Sequence, residues 1–480
     1  MKVQRSATPI PTRNLIGGKL RQAFAHSAWK VAFSVHFFFF IAALVAIDAQ
    51  AAERRAGKLS LNDAVSEALG TSPVVGQAKA AMEEQSWKQT ESLSGFLPTV
   101  QISGSHLFTK RYQYTDLVFN GSPTSIPGII PTTSAALSAS IPIFDGFANI
   151  SRYRAAAQLG EAAHNDADWT NFRIEEETKL HYAEALTAVK LELVAQQNVE
   201  TLTDHLDQVN KTRRGGMATQ FDVLRVEVQL NEAQSELLRS KDDVVLTRQK
   251  LLLTLGREAS EDNREIEGNL EVPDAQTIAS LKLEDRMQRK DLAALALRSQ
   301  AANLSESASA AYWIPKISLG AQYILYNNLS DGFSDWNRYR EAWNTGVFMT
   351  WTLFDGMTSI ARSKTSIAQR VQVEKQLESA RLQAPNDFEF WKRRYLYSAT
   401  LYQAKVSDVK KGEESIRLAK AAFKAGVRTN SEVLDSELDL FRARAGLVNA
   451  LKNCAEAKIK LELAIGKPIA TSQQPVTAQR

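Results

Sequence analysis

The residues best suited to site chemistry are two acids near the carboxyl end of the chain. Glu432 and Asp435 lie three positions apart in a stretch of helical periodicity, so both carboxylates fall on one face of a helix. Like charges held together in this way repel one another and attract cations. From the spacing alone, the expected interpretation is two solvated surface acids, with a cation-attracting site as the alternative.

The other residue types exclude most catalytic and metal chemistry. The single cysteine, Cys454, excludes a disulfide framework and any cysteine-ligated zinc or iron–sulfur site. The sequence contains no phosphate-cradling glycine loop, paired catalytic carboxylates or nucleophile–base constellation, so we predict neither an enzyme nor a bound cofactor or metal. The run Glu175-Glu176-Glu177 is expected to be a solvated helix face. Four histidines lack metal-ligand spacing and are expected at the surface or at a barrel rim: His106, His164, His181 and His205.

Residues 1–51 have the pattern of an export signal. A basic stretch precedes an apolar run at residues 31–47, and Ala49-Gln50-Ala51 supplies a small-x-small cleavage pattern. The run is short for a membrane-spanning helix, which needs about 20 residues, although a retained anchor is the alternative. The segment has six Lys or Arg and one Asp, hence a charge of +5, whereas the whole chain carries +4. The mature chain is therefore near −1, and nucleic-acid binding loses its compositional support.

The chain is an internal duplication. Ile143-Phe144-Asp145-Gly146 recurs as Leu353-Phe354-Asp355-Gly356, an offset of 210 residues. The same offset relates the glycine-containing segments 215–219 and 425–429. We predict a first repeat at 52–257, a linker at 258–283, a second repeat at 284–467 and a tail at 468–480.

Each repeat has the same order of elements. A helix (residues 61–94 in the first copy) ends before a proline and is followed by segments in which apolar and polar residues alternate, the period of a strand. Loops at 116–133 and 327–339 separate the alternating segments, which gives two strands per repeat and four per chain. A strand of about 10 residues is long enough to cross a bilayer when tilted.

A very long helical hairpin completes each repeat. The helices that start at 148 and 359 extend for more than 60 residues, and only Pro385 interrupts the second. The returning helices carry a seven-residue pattern of small and apolar residues, which predicts a coiled-coil seam. In the first repeat this seam is Val226, Leu230, Ala233, Leu237, Ser240, Val244, Thr247 and Leu251. In the second it is Ser436, Leu440, Ala443, Leu447, Ala450, Cys454, Ala457 and Leu461.

Four strands cannot seal themselves in lipid. An outer-membrane barrel needs about eight or more strands to close. It must close because the hydrocarbon core contains no water that could hydrogen-bond to the backbone groups of an open strand edge. Two copies would give a lumen filled by side chains, whereas three would give twelve strands and a channel. We therefore expect a ring of at least three identical chains with cyclic symmetry, in which the helices continue the ring as a tube.

The sequence resembles the TolC family of outer-membrane efflux and secretion ducts over residues 59–467. The resemblance rests on Leu59-Ser60-Leu61-Asn62-Asp63-Ala64, on Leu97-Pro98, on the paired Phe-Asp-Gly motifs and on Gly426-Val427-Arg428-Thr429, taken in their order. It implies a mixed α+β membrane protein in which a trimeric twelve-stranded transmembrane β-barrel continues as a periplasmic α-helical coiled-coil barrel. It also implies an exit duct for small molecules, which binds a periplasmic adaptor and an inner-membrane pump.

The resemblance assigns roles to residues at the helix turns, which form the periplasmic tip in this family. Glu432 and Asp435 match the acids of the pore constriction, and Asp222 and Arg428 match a latch that closes the tip. Phe423 stands where the family has a tyrosine, so it can pack but cannot donate a hydrogen bond. The turns expected to contact the adaptor contain Gly216, Met217, Ala218, Thr219, Gly426, Val427, Arg428 and Thr429.

Three other functions stay open from the sequence. The same architecture would serve type I protein secretion. A pore-less periplasmic coiled-coil tether would make the alternating segments irrelevant, and a helical sensor would need residues 31–47 to remain as an anchor. The sequence does not specify the cargo, the adaptor, the pump or the resting state of the tip.

Overall fold

The computed structural model describes residues 57–108, 112–129, 132–258, 264–270, 275–282, 289–327 and 336–469. The predicted signal at 1–51 and all but two residues of the predicted tail lie outside this part of the chain. The described residues form two units. The smaller unit holds a parallel pair of two-residue strands, in which Lys58 pairs with Glu265 and Leu59 with Ile266.

The larger unit contains all the long helices and an antiparallel sheet. The elements of both units in chain order are β1 (Lys58–Leu59), α1 (Leu61–Thr71), α2 (Pro73–Ser92), β2 (Thr99–His106), β3 (Tyr112–Phe119), β4 (Ser122–Ile129), β5 (Thr133–Phe144), α3 (Ala148–Arg214), α4 (Gln220–Thr254), β6 (Glu265–Ile266), α5 (Ala275–Ala279), α6 (Lys290–Ala310), β7 (Lys316–Asn327), β8 (Arg340–Thr350), α7 (Thr358–Lys424) and α8 (Asn430–Ile465).

The predicted duplication is evident in the helices. The helices α3 and α7 have 67 residues each, which at ~1.5 Å per residue is about 100 Å. The returning helices α4 and α8 have 35 and 36 residues. All sixteen positions of the two predicted seams are buried or half-buried.

The repeated Phe-Asp-Gly motif starts the long helices. Gly146 and Gly356 have φ of 73° and 68°, a left-handed conformation that glycine adopts without the steric cost of a Cβ atom. The preceding acids then cap the helices. Asp145 Oδ2 accepts a hydrogen bond from the backbone N–H of Asn149 at 2.7 Å. Asp355 Oδ2 accepts the equivalent bond from Ser359 at 2.9 Å.

Two prolines lie within the predicted helices, and only one of them marks a break. The helix expected at 61–94 is broken at Ser72, and a new helix begins at Pro73. Proline is favoured at a first helical position because its missing N–H would be unpaired there anyway. Pro385, by contrast, lies inside α7 without ending it. Neighbouring Ala384 and Phe388 are buried, so packing holds the helix together through this position.

The four predicted strands form one antiparallel sheet in the order β2-β5-β7-β8. The pairing of β5 with β7 joins the two repeats and leaves β2 and β8 as the edges. Residues in register across neighbouring strands share a face of the sheet. One such row is polar: Gln101, Ser138, Gln322 and Asn344. The next row belongs to the other face and is apolar: Ile102, Leu137, Tyr323 and Trp343.

The expected loop at 116–133 is a correction, because most of it forms a hairpin of β3 and β4. Asn120 and Gly121 close it with φ of 47° and 79°, the conformation of a two-residue hairpin turn. Pro123 and Pro127 pair with Val118 and Tyr114. Both prolines occupy non-hydrogen-bonded positions of the antiparallel ladder, which alternate with the hydrogen-bonded ones. Neither proline therefore removes a hydrogen bond from the ladder.

Candidate functional site

The turns between the long helices have the same geometry in both repeats. Gly216 and Gly426 have φ of 79° and 72°, and each ends a helix. The N–H of Met217 donates to Thr212 O at 3.1 Å, and the N–H of Val427 donates to Ala422 O at 2.9 Å. These bonds satisfy helix carbonyls that would otherwise be unpaired, which is why a glycine recurs at each turn.

The acids after the turns cap the returning helices. Asp222 Oδ2 accepts from the backbone N–H and the hydroxyl of Thr219 at 2.9 and 2.7 Å, and these hydrogen bonds hold the pKa of the carboxyl below its ordinary value. In the second repeat, Glu432 Oε2 accepts from the N–H of Thr429 at 2.9 Å. Both are capping boxes, in which a side chain and a backbone amide satisfy each other.

The residues assigned to the latch make no hydrogen bond or ion pair with one another within the part of the chain that the structure describes. Asp222 caps its own helix, and no ion pair joins it to Arg428 in the part of the chain that the structure describes. Arg428 is exposed, and Phe423 is half-buried beside the turn, where its carbonyl accepts from the N–H of Gly426 at 3.0 Å. A latch between Asp222 and Arg428 therefore stays a prediction that concerns neighbouring copies.

A different arginine connects the two repeats at the tip. Arg225 Nη1 donates to Ser431 Oγ at 2.6 Å, and its Nη2 lies 3.5 Å from Asp435 Oδ1. Arg225 and Asp435 are related by the 210-residue offset, so equivalent positions carry opposite charges. Their sequence equivalence was a signal that the sequence analysis missed. Asp435, one of the two predicted constriction acids, thus bonds to the first repeat, whereas Glu432 serves as a cap.

The tip presents apolar side chains to its surroundings. Three large ones are strongly exposed: Met217 at 82%, Val427 at 80% and Phe221 at 71%. Exposed apolar groups clustered at helix ends are typical of surfaces that bind another protein. Two of the three belong to the turns predicted to contact an adaptor.

The sheet exposes apolar side chains on one face. Ile102 is 79% exposed and Val347 is 70% exposed. Trp343 is 74% exposed on this same face. Trp351 lies just after β8, and its indole N–H donates to Trp313 O at 3.0 Å. A strand face of this composition suits lipid, with tryptophan at the bilayer interface.

Three residues expected at the surface are buried, which corrects the sequence interpretation. Glu176 is 0% exposed, His205 5% and His181 8%. Burial and the neighbouring Glu462 raise the pKa of Glu176 to about 8, and Lys179 Nζ lies 2.7 Å from its Oε1. Their periodicity on α3 matched a solvated face, but this helix is covered on several sides by α4, α6 and α8.

Among the residues that the structure describes, no helix is both long enough and apolar enough to span a membrane. Within the same part of the chain, no cluster of three or more His, Cys, Asp or Glu side chains could hold a metal ion.

The sequence matches the family model of outer membrane efflux proteins over residues 64–257 and 284–467. The chain belongs to this family. Membership confirms the resemblance drawn from the motifs, the predicted fold class and the predicted outer-membrane localisation. No curated protein matches the chain significantly.

Solved structures show the same fold at low sequence identity. The outer membrane protein VceC of Vibrio cholerae is 17% identical, with a TM-score of 0.72, over 85% of this chain and 97% of VceC. The Campylobacter jejuni CmeC outer membrane channel is 14% identical, with a TM-score of 0.73, over 86% of this chain and 87% of CmeC. The Neisseria gonorrhoeae MtrE outer membrane channel in its open state is 18% identical, with a TM-score of 0.68, over 86% and 90%.

Proposed function

We propose that three copies of the chain form an outer-membrane exit duct of a tripartite efflux system. The observation that supports this proposal best is the four-stranded sheet, which has one apolar face and two open edges, β2 and β8. In lipid, an open edge leaves several backbone groups without hydrogen-bond partners, and each such group costs roughly several kcal/mol of free energy. Pairing β2 of one copy with β8 of the next removes both edges, and three copies give twelve strands around a water-filled lumen.

The polar face of the sheet would line that lumen. The row Gln101, Ser138, Gln322 and Asn344 faces away from the apolar side, so lipid and water would each contact a suitable surface. The long helices would continue the barrel into the periplasm as a tube. We propose passive conduction, without catalysis or a cofactor, because the family is one of efflux proteins and an energised partner must drive the cargo.

The helix turns would be the end that meets an adaptor and an inner-membrane pump. The exposed side chains of Met217 and Val427, on turns with the same hydrogen-bond pattern, support this role. In a trimer, Asp435 of each copy would come to the axis beside Glu432, and Arg428 of one copy would face Asp222 of a neighbour. These assignments follow the family resemblance and define the constriction and the latch as testable proposals.

Single-channel recording from the purified mature protein tests the duct. We expect discrete conductance steps from a detergent-extracted, heat-modifiable trimer. A water-soluble monomer without conductance would contradict the duct. It would instead support the pore-less tether, which the efflux family otherwise disfavours. Nothing in the described residues favours type I protein secretion over efflux of small molecules.

The constriction and the latch can be tested in the same recordings. The double change E432Q/D435N should weaken block by multivalent cations, because it removes six carboxylates from the axis of a trimer. Gln at 432 keeps the capping box, so the helix start is preserved. R428A should raise conductance. Arg428 is a better position to change than Asp222, because a change of Asp222 would also remove the cap of α4. Unchanged block relative to the exposed control E414Q would show that the acids do not line the pore.

A further inference from the structure

A buried polar cluster joins the two repeats above the tip. His205 on α3 lies against α8, where its Nδ1 is 2.6 Å from Glu437 Oε2 and its Nε2 is 2.7 Å from Asn430 Oδ1. Lys420 on α7 completes the cluster, with its Nζ 2.9 Å from Glu437 Oε1. His205, Asn430 and Glu437 are each less than 7% exposed. Burying ionisable groups is costly, so their mutual pairing must stabilise them.

The geometry fits a protonated imidazole. Both ring nitrogens of His205 face oxygen acceptors, and only the imidazolium has two N–H donors. The Nδ2 atom of Asn430 has no hydrogen-bond partner within the described residues. A half-turn of this amide would present Nδ2 to His205 Nε2 and satisfy the neutral ring. The cluster can therefore hold or release one proton without leaving the ring unpaired.

The charged groups that act on His205 come from two helices. Burial has the largest single effect and lowers the pKa of the imidazole, and Lys420 on α7 lowers it further. The hydrogen bond and charge of Glu437 on α8, together with the hydrogen bond of Asn430, outweigh both, so the net shift of the pKa is upward. The α4 side contributes apolar packing: Leu202 and Val209 of α3 meet a set of apolar residues there. These are Val223, Val226 and Ala233, with Leu434 of α8.

The cluster brackets a residue of the proposed constriction. His205 precedes the turn at Gly215 by ten residues, or about 15 Å along α3. Asp435 lies between Asn430 and Glu437 on the first turns of α8. Contacts that hold the first turns of α8 against α3 therefore also hold Asp435 in its position relative to the first repeat.

We propose that His205, Glu437, Asn430 and Lys420 form a buried proton-binding site that couples the second tip hairpin to the first. Protonation of His205 strengthens the contact between α3 and the start of α8, because both ring nitrogens then donate to Glu437 and Asn430 of α8. The folded-state pKa lies above the ordinary value of 6.5, so the stabilisation that the proton adds to this contact is complete below about pH 6.5 and is lost as pH rises through the raised pKa, while the neutral ring keeps its hydrogen bonds. The effect on conduction rests on the proposed duct, whereas the coupling itself does not.

Amide hydrogen exchange tests the coupling without requiring a pore. The detergent-solubilised mature protein is measured from pH 5.5 to 9, and the exchange of residues 430–437 is corrected for its intrinsic pH dependence. We expect protection to fall about tenfold for each pH unit between the unfolded and folded pKa of His205. E437Q should move the midpoint to lower pH, and K420Q should move it to higher pH, because the two charges act on the imidazole in opposite directions.

Matched variants decide the outcome. H164Q removes an exposed histidine on the same helix, 3.5 Å from Asp168, and should leave the curve unchanged. H205Q should abolish the transition. If E437Q and K420Q both keep the wild-type midpoint, the proposal is wrong, even if H205Q fails to fold. Lys420 is half-exposed, so K420Q remains informative where a change at a buried position prevents assembly.

Conductance links the site to the duct. In planar bilayers the single-channel conductance should change with pH at the same midpoint as the exchange, with the same shifts in E437Q and K420Q. A pH-independent conductance together with an exchange transition would remove the role in gating. Absence of any pore would contradict the proposed function, while the exchange result would still stand for or against the proton site.

Discussion

Removing the guanidinium of Arg225 should loosen the tip by a predictable amount. The side chains of Arg225 and Asp435 are 40% and 65% exposed, so their ion pair contributes about 0–1 kcal/mol. The 2.6 Å hydrogen bond to Ser431 is partly buried and adds about 1 kcal/mol. The sum is about 1.5 kcal/mol per chain. If three chains move together, R225A should shift the balance of closed and open tips by about a thousandfold.

The assay is the ratio of open to closed dwell times in planar bilayers. The control is R239A, because Arg239 is 72% exposed and pairs with Glu236 and Asp243 of its own helix. The charge swap R225D/D435R should return the ratio towards wild type, since the two positions are equivalent in the duplication. Dwell times that are the same in R225A and R239A would show that Arg225 does not hold the tip closed.

Three other predictions concern single residues. Because the pKa of Glu176 is raised, the wild-type protein should lose about 1.4 kcal/mol of stability per pH unit as pH rises from 4.5 to about 8. E176Q has no ionisable group at this position, so its stability should depend less on pH over this range. Circular-dichroism melting curves with the same pH dependence in E176Q and wild type would contradict this. Burial raises the pKa of Cys454 to about 11, so the native protein should resist thiol reagents that label the denatured chain, and rapid native labelling would argue against the buried seam. T219A should lose about 1 kcal/mol of helix-start stability, seen as faster amide exchange in the first turn of α4, whereas T219S should not; equal exchange in both would show that the cap is unimportant.

The periodic parts of the fold could be predicted from the sequence. The strands and the seams follow from local repetition of apolar residues, and the 210-residue offset makes each repeat support the assignment of the other. The hairpin of β3 and β4 was predictable in principle, because Asn120-Gly121 is a strong turn signal. Its prolines and serines suggested a loop instead, and the ladder positions of Pro123 and Pro127 become clear only once the register is known.

The buried polar residues could not be predicted in the same way. His205 and Glu437 are 232 residues apart, and their contact depends on how α3 and α8 lie against each other. Helical periodicity shows which residues share a face, but not whether a third helix covers that face. Glu176 was placed in solvent for this reason. The pairing of Arg225 with Asp435 lies between these cases, since the duplication aligns the two residues but only the structure brings them together.

Cross-linking of the sheet edges tests most directly whether copies close a shared barrel. In a C454A background, cysteine pairs are placed along β2 (Thr99–His106) and β8 (Arg340–Thr350), one in each strand, to sample the possible registers. Oxidised outer membranes should yield covalent species of two and three chains and nothing larger at one register. Absence of cross-links at every register, or a ladder that continues beyond three chains, would contradict the closed trimeric barrel.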